Sequence, residues 1–267
     1  MVSFVATPIG NLQDITLRAL ETLKGADVIF CEDTRHTLKL LNAYEIKKPL
    51  FSCHKFNEKE AAEKIIALHN EGKEVAIVSD AGMPVVSDPG NTVCKRLKES
   101  GVNYTIVPGA CACVSALVLS ALDSGRFTFV GFLPEKAGEK KALLSQFASL
   151  QTTLLFHSAP QDIDKDVKAM YEVFGDRQAV AVREITKIHE ESVPFTLAEG
   201  LAGEKRGEYV LVVEGAKEQE NALCSLSEKE HIAAYMAQGY YKKEALKMAA
   251  KDRGVSKSTL YPFAIDL

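Results

Sequence analysis

Three short segments of this 267-residue chain combine charged side chains with turn residues in patterns that could support chemistry. The most informative runs from Ser79 to Gly90, directly after an apolar strand predicted at Val75–Val78. Gly82 would let a ligand approach the backbone closely, and the Asp80 carboxylate could accept a hydrogen bond from a hydroxyl or amine. Because ligands of parallel α/β sheets bind beyond the carboxyl ends of the strands, this segment predicts ligand contact.

The other two segments also follow predicted strands. Glu32-Asp33-Thr34-Arg35 comes after Val28–Cys31, and Arg183-Glu184-Ile185-Thr186-Lys187 follows Ala179–Val182. Carboxylates beside a guanidinium can bind a polar substrate or assist proton transfer. The alternatives are a helix cap for the first segment and a surface ion pair for the second, and both alternatives stay open at this stage.

Other catalytic patterns are missing from the chain. Its six histidines offer no Ser/His/Asp spacing, which disfavours a nucleophilic hydrolase. There is no G-x-x-x-x-G-K-[ST] motif, and Thr7-Pro8-Ile9-Gly10 is not a G-x-G-x-x-G fingerprint. The six cysteines lack a C-x-x-C pair and any zinc-type spacing, so we expect free thiols and no metal site.

The elements that must position these segments alternate between strand and helix. Between the first predicted strand, Val2–Ala6, and the last of this half, Tyr104–Val107, strands alternate with helical stretches along the chain. This alternation predicts a largely parallel sheet. Asp14 is the expected N-cap of a helix to Lys24, and Asp88 with Pro89 is expected to open a helix to about Ser100. In the second half a hairpin-type turn at Gly203–Gly207 predicts a mixed or antiparallel sheet.

Composition bounds the class of protein. The chain is 46% hydrophobic with a formal net charge of −4, which is typical of a globular protein and disfavours one that coats nucleic acid. No apolar run approaches the length of a membrane span. Met1 leads straight into an apolar run without a basic n-region, so we expect a cytoplasmic protein without membrane contact.

After Gly215 the composition changes. A linker-like segment, 217–227, precedes three helical stretches, Glu228–Gln238, Lys242–Lys251 and Ser256–Ile265. Between Lys242 and Lys257 there are six basic residues and two acidic ones, which predicts either a solvated helix face or a local nucleic-acid surface. We predict three domains: an α/β domain at 1–112, a second α/β domain at 113–220, and a helical, helix-turn-helix-like module at 221–267.

The motifs together resemble one enzyme family. Val5 to Thr16, Glu32-Asp33-Thr34-Arg35, Ser79 to Gly90 and Arg183 to Lys187 are similar to the corresponding motifs of the bacterial ribosomal RNA small subunit methyltransferase I family, within the tetrapyrrole methylase superfamily. The resemblance spans essentially the whole chain. It departs from the family pattern at Phe156–Gln161.

The resemblance implies two α/β domains of the tetrapyrrole methylase type, which is class III among S-adenosylmethionine-dependent methyltransferases, with the cofactor between them. It implies 2′-O-methylation of a cytidine in the decoding region of 16S rRNA, by a homodimer acting on free rRNA or the small ribosomal subunit. Rival functions are methylation of a tetrapyrrole or a protein side chain, and non-catalytic regulation by nucleic-acid binding.

Roles for individual residues follow from the resemblance and from the chemistry of methyl transfer. Asp33 and Glu184 are base candidates, with Arg35 and Arg183 as cations on the substrate side. Cofactor contacts are expected at Pro8, Gly10, Asp80, Ala81, Gly82, Val85, Cys111, Ala112, Phe156 and His157. RNA contacts are expected at Lys187, Lys242, Lys243, Lys247, Lys251, Arg253 and Lys257.

Overall fold

The computed structural model of the protein describes residues 1–217 and 222–267. Within it the chain forms two compact units, Met1–Ala216 and Lys217–Leu267. The first unit contains two five-stranded sheets, and the second is helical. The predicted linker at 217–227 lies partly outside the described residues, and the predicted boundaries of the three domains stay predictions.

The first sheet is parallel throughout, in the strand order β3-β2-β4-β1-β5. Its strands are β1 (Val2–Val5), β2 (Val28–Cys31), β3 (Leu50–Ser52), β4 (Val75–Val78) and β5 (Tyr104–Val107). The connecting helices are α1 (Leu17–Gly25), α2 (Thr34–Ala43), α3 (Glu58–Asn70) and α4 (Asn91–Glu99). The predicted parallel sheet is therefore confirmed, although β3 and α2 were not predicted.

Burial explains why the central strands are continuously apolar. All residues of β1, β2 and β4 are buried, because helices cover both faces of the sheet. Phe4, Phe30 and Ile77 pack on one face, while Val5 and Ile29 pack on the other. A rigid sheet of this kind holds the loops at its carboxyl edge in fixed positions.

The second sheet is mixed, with the strand order β6-β7-β10-β8-β9. Its strands are β6 (Phe127–Phe132), β7 (Thr153–Ser158), β8 (Gln178–Arg183), β9 (Glu191–Thr196) and β10 (Tyr209–Val213). Only the pair β6–β7 is parallel. The predicted hairpin at Gly203–Gly207 is wrong, because β9 pairs with β8 whereas β10 lies on the other side of β8.

Helix α5 (Ala112–Ser120) follows the first sheet and packs on the second. Its Cys113, Ala116 and Leu117 are buried against Val180 in β8 and other strand residues. Ile9, from the loop after β1, joins the same cluster, so this layer connects the two sheets. The other face of the second sheet is covered by α6 (Ala137–Ser145) and α7 (Ile163–Phe174).

Two predicted helix caps are wrong. The N-cap of α1 is Thr16, whose side chain accepts from the Ala19 amide, while Asp14 belongs to a short 3₁₀ helix at Leu12–Asp14. The N-cap of α4 is Gly90 at φ 129°, so neither Asp88 nor Pro89 opens that helix. The turn before Gly90 therefore leaves the Asp88 carboxyl available for a role other than capping.

The C-terminal unit has its own core. Helices α8 (Glu228–Ala237), α9 (Lys242–Asp252) and α10 (Lys257–Leu260) surround Ile232, Leu246 and other buried residues. Ser256 caps α10 as its side chain accepts from Thr259, which confirms the predicted cap. Among the described residues, no helix is long and apolar enough to cross a membrane.

Candidate active site

The site is built on loops at the carboxyl edge of the first sheet. The loop after β1 and the loop after β4 are joined through two backbone hydrogen bonds of 3.0 Å between Thr7 and Gly82. The hydroxyl of Thr7 donates to the Ser79 carbonyl (3.2 Å), and the Ser79 hydroxyl donates to the Gly82 carbonyl (3.0 Å). These contacts bring the predicted cofactor residues Pro8 and Asp80 to the same edge.

The acidic loop after β2 is attached to this pair of loops. The Asp33 amide donates to Oδ1 of Asp80 at 3.1 Å. The Asp33 carboxylate caps α2 by accepting from the Arg35 amide (2.8 Å), and it also forms a bidentate ion pair with the Arg35 guanidinium. The structure thus confirms the helix cap at Asp33 with Arg35 on the surface, while a role of this segment in substrate binding or proton transfer stays a prediction.

The electrostatics of the acidic loop differ between its carboxyl groups. Hydrogen bonds from Arg35 hold the pKa of Asp33 well below its usual range, which makes Asp33 a weak base. Burial raises the pKa of Glu32, the Asp80 carboxylate adds to the rise, and His54 opposes it. Glu32 is therefore better matched than Asp33 to proton transfer near neutral pH.

Asp88, which was predicted from the sequence to cap a helix, is a further carboxyl group at this edge of the sheet. Burial raises the pKa of Asp88 to about 6, and the charges of Glu32 and Asp80 add to the rise. Because Glu32 and Asp80 act on the pKa of Asp88, and Asp80 acts on that of Glu32, the three carboxyl groups lie close enough to interact electrostatically. No sequence pattern distinguishes such an Asp from a capping residue, because the difference depends on which residue ends the turn.

The loop after β8 reaches the same region from the second sheet. A Cβ atom on Gly10 would lie 2.5 Å from Cγ of Lys187 and 3.0 Å from Oγ1 of Thr186, so only glycine fits there. Glu184 and Thr186 adopt φ values of 49° and 68°. Left-handed backbone is costly for a β-branched residue such as Thr186, and strained backbone of this kind clusters at functional sites.

Two charged residues of this loop are internally paired. The Lys187 ammonium donates to Oε1 of Glu184 and Oε2 of Glu208, each at 2.9 Å. The hydrogen bond from Lys187 lowers the pKa of Glu184. Glu184 is accordingly a weak base. Lys187 stabilises the loop by binding two carboxylates, and these contacts compete with any contact between Lys187 and RNA.

Arg183 is only partly paired. Its NH2 group donates to Glu191 (3.1 Å), whereas its buried Nε has no hydrogen-bond partner among the described residues. Oγ1 of Thr186 is likewise buried without a partner there. Unsatisfied buried donors are rare in native structures, so these groups favour a polar ligand at this loop.

The two aromatic residues predicted at the end of β7 lie on opposite faces of the sheet. Phe156 is fully buried in the core beneath α7, so its side chain is removed from the set of cofactor contacts. His157 lies edge-on against Phe129 and Phe132, and its buried Nε2 has no partner among the described residues. Burial lowers the pKa of His157, which keeps the imidazole neutral.

Two glycines of the loops after β4 and β5 lie close to neighbouring parts of the chain. Gly82 has φ 80°, and a Cβ there would lie 3.0 Å from the Ile9 side chain and 3.5 Å from the Ala110 carbonyl. A Cβ on Gly109 would lie 2.9 Å from Cβ of Ala6. The loops after β1, β4 and β5 are therefore packed closely against one another, and the buried Nε2 of His157 is a polar group that a bound ligand could satisfy.

Cys111 and Cys113 add a polarisable pair at the start of α5. Their sulfur atoms are 3.4 Å apart, and the hydrogen bond from Cys113 lowers the pKa of Cys111 to about 6. Cys111 is partly exposed and Cys113 is buried. Among the described residues, no three His, Cys, Asp or Glu side chains converge in a way that could hold a metal ion.

The predicted RNA residues of the C-terminal unit divide into two groups. Arg253 donates to Nδ1 of His231 and to the Leu226 carbonyl, so it holds this unit together. Lys242 donates to the carbonyls of Ile265 and Leu267. The remaining lysines are exposed and form no ion pair within the described part of the chain: Lys243, Lys247, Lys251 and Lys257.

Comparison with known proteins first defines the class. The sequence profile described as Tetrapyrrole (Corrin/Porphyrin) Methylases matches residues 1–202. The fold resembles uroporphyrin-III C-methyltransferase from Thermus thermophilus complexed with S-adenosylhomocysteine (TM-score 0.57, 21% identity, 79% of this chain and 96% of that chain). It also resembles diphthine synthase (TM-score 0.62, 18% identity, 80% of this chain and 89% of that chain). The expected fold class is thereby confirmed.

Closer relatives then define the group within that class. The chain is 43% identical to ribosomal RNA small subunit methyltransferase I of Bacillus subtilis, across 96% of this chain and 91% of that protein. It is 39% identical to the Haemophilus influenzae protein of the same name, across 98% of this chain and 95% of that protein. The chain belongs to the ribosomal RNA small subunit methyltransferase I family of tetrapyrrole methylases and is a methyltransferase.

A shorter relative bears on the C-terminal unit. The Thermotoga maritima protein of the same name is 42% identical over 215 residues, which cover 79% of this chain and 96% of that protein. That relative therefore has no counterpart to about a fifth of this chain. The unit Lys217–Leu267 is of that size.

Proposed function

We propose that the protein transfers the methyl group of S-adenosylmethionine to the ribose 2′-oxygen of a cytidine in the decoding region of 16S rRNA. The observation that carries the choice of acceptor is the 43% identity, over nearly the full length, to relatives named ribosomal RNA small subunit methyltransferase I. Likeness to enzymes that act on tetrapyrroles or on a protein supports only the fold, because the identities are about 20%.

The donor site is proposed at the joined loops after β1 and β4 and at the start of α5. When bound, S-adenosylmethionine supplies an electrophilic methyl group on a positively charged sulfur. The Gly82 and Ala110 backbone groups lie close together at these loops, and the neutral His157 offers its free Nε2 to a polar group of the donor. Such a site orients the reactants and excludes water, which is most of what methyl transfer requires.

The acceptor site is proposed on the neighbouring loop after β2. The Arg35 guanidinium is 87% exposed while its Asp33 partner fixes its position, so it can bind a phosphate or stabilise a developing alkoxide. Glu32, with its raised pKa, accepts the proton of the 2′-hydroxyl more readily than Asp33 or Glu184. Proton acceptance is therefore reassigned from Asp33 to Glu32.

The RNA surface is proposed on the exposed lysines of the C-terminal unit, Lys243, Lys247, Lys251 and Lys257. These side chains are exposed and form no ion pair within the described part of the unit, so they can neutralise phosphates. Lys187 and Arg253 contribute less, because other groups of the protein already hold them.

A homodimer is proposed through the exposed apolar residues of β5, α5 and β6. Val118 in α5 is 73% exposed, with Val114 beside it on the same helix. Tyr104 and Ile106 stand on the edge strand β5 next to a depression of about 340 Å³. Two edge strands and an apolar helix face left in water favour association with a second copy.

A methyl-transfer assay tests the proposed function. Radiolabelled S-adenosylmethionine is offered with assembled small subunits, protein-free 16S rRNA, uroporphyrinogen and elongation factor 2 as acceptors. We expect label in a cytidine of rRNA, resistant to alkaline hydrolysis because a 2′-O-methyl group blocks cleavage at that ribose. Label in a base, a tetrapyrrole or a protein would contradict the proposal. RNA binding without any transfer would favour a regulator.

A further inference from the structure

Phe56 is an aromatic side chain that neither the core nor the proposed donor site uses. Its side chain is 92% exposed on the turn between β3 and α3. The turn is closed by Asn57, whose Oδ1 accepts from the His54 amide (2.7 Å) and whose Nδ2 donates to the Ser52 carbonyl (3.1 Å). The Phe56 amide donates to Nδ1 of His54 at 3.3 Å. A hydrogen-bonded turn thus presents this ring to solvent in a defined position.

The turn lies beside the proposed acceptor loop. Strands β2 and β3 are neighbours, and the amide of Cys53, directly after β3, donates to the carbonyl of Cys31, the last residue of β2, at 2.8 Å. His54 is close enough to Glu32 to act against the rise in the pKa of that carboxyl group. The Phe56 ring therefore stands one strand away from the groups that would receive the ribose.

The surroundings of the ring suit a nucleic acid better than an apolar partner. Lys55 is exposed on this turn and Arg35 is exposed in the first turn of α2, and no other large exposed apolar side chain stands on the turn that follows β3. Stacking of bases on an aromatic ring, combined with nearby cations for the phosphates, is the general way in which proteins bind unpaired nucleotides. An apolar protein surface would require neighbouring apolar side chains as well.

We propose that Phe56 stacks against an unstacked base of the RNA acceptor next to the methylated nucleotide. This inference rests on the proposed function. An aromatic ring beside the acceptor loop would stabilise a nucleotide that is separated from its stack, because its face replaces the lost stacking partner. Phe56 is then a binding residue that helps to select single-stranded RNA.

Fluorescence gives a direct test, because the chain contains no tryptophan. Phe56→Trp introduces one reporter at the proposed site, and Tyr171→Trp introduces one at a half-exposed aromatic position on α7. Protein-free 16S rRNA and assembled small subunits are titrated into each variant. We expect base stacking to quench the emission of Phe56→Trp and to leave Tyr171→Trp unchanged. No quenching, or equal quenching of both, would overturn the inference.

Kinetics give an independent test. Phe56→Ala is expected to raise KM for the RNA substrate about tenfold, while Phe56→Tyr stays near the wild-type value. Phe56→Leu should behave like Phe56→Ala, since leucine retains apolar area but has no π face. Affinity for S-adenosylmethionine, measured by calorimetry, should be unchanged in all three variants, which also reports on folding.

The outcomes separate the two proposals. Full activity of Phe56→Ala, or rescue by Phe56→Leu, in an enzyme that methylates rRNA would reject the stacking role alone. A wild-type protein that methylates no RNA would reject the proposed function, whatever the variants do.

Discussion

At the scale of single residues, the arginine of the acidic loop is the most direct test of the acceptor site. Replacement of Arg35 by Ala should reduce methyl transfer at least a hundredfold, because it removes the cation that faces the acceptor. Donor affinity measured by calorimetry should stay within about twofold, since no donor contact is proposed there. Full activity of this variant would exclude the loop from the mechanism.

A pair of variants at Asp33 separates the role of its negative charge from its role as the N-cap of α2. Asp33→Asn keeps a side chain that can cap α2, whereas Asp33→Ala also loses the cap and should lower the free energy of unfolding. We expect both variants to lose transfer and only the alanine variant to lose stability. Equal stability of the two proteins would contradict the capping role.

Asp88 predicts a pH dependence of stability. Burial and two neighbouring carboxylates raise the pKa of Asp88 from 3.8 to about 6 in the folded protein. The folded state thus binds the proton more tightly than the unfolded chain, so this group makes stability fall as pH rises between those two values. Asp88→Asn should raise Tm at about pH 7.5 and leave it nearly unchanged at about pH 4. A shift of equal size at both pH values would refute this assignment.

At the scale of elements, a buried ion pair connects α6, α7 and the end of β7. Lys140 and Asp166 are 6% and 5% exposed, and the Ser158 hydroxyl donates to the same carboxylate at 2.7 Å. Asp166→Ala leaves the ammonium buried alone and should cost about 3–5 kcal/mol in urea unfolding. The double variant Lys140→Met/Asp166→Leu should recover most of that loss; a double variant as unstable as the single one would contradict it.

The exposed face of α9 allows a test of the RNA surface. Lys243→Glu combined with Lys247→Glu should weaken binding to 16S rRNA and reduce the slope of log affinity against log salt by about one to two. The control Lys165→Glu with Lys168→Glu makes the same change in net charge on α7. Equal loss in both variants would indicate a general charge effect rather than a specific surface.

At the scale of the whole molecule, the exposed apolar face of α5 predicts self-association. Val118→Asp places a charge where a second copy is expected to bury an apolar side chain. We expect sedimentation to give a dimer for the wild type and a monomer for the variant at micromolar concentration. A monomeric wild-type protein, or a dimeric variant, would contradict this interface.

The amino-acid sequence determined the parts of this protein that depend on order along the chain. Alternating apolar strands and helices specify a parallel sheet, and a parallel sheet brings every strand–helix loop to one edge. That is why the sequence alone predicts that Gly82, Asp80 and the Glu32–Arg35 segment lie at one edge of the sheet. The motifs also sufficed to identify the family.

Only the tertiary structure decided which side chains are free to act. Phe156 and His157 are adjacent, yet strand geometry buries one in the core and turns the other to the opposite face of the sheet, against Phe129 and Phe132. The pairing of Arg253 with His231, and the acidic neighbours that raise the pKa of Asp88, join residues far apart in the chain. Such contacts depend on how the helices and strands pack against one another. A local sequence pattern describes only its own segment, so it does not predict which other segment will pack against it.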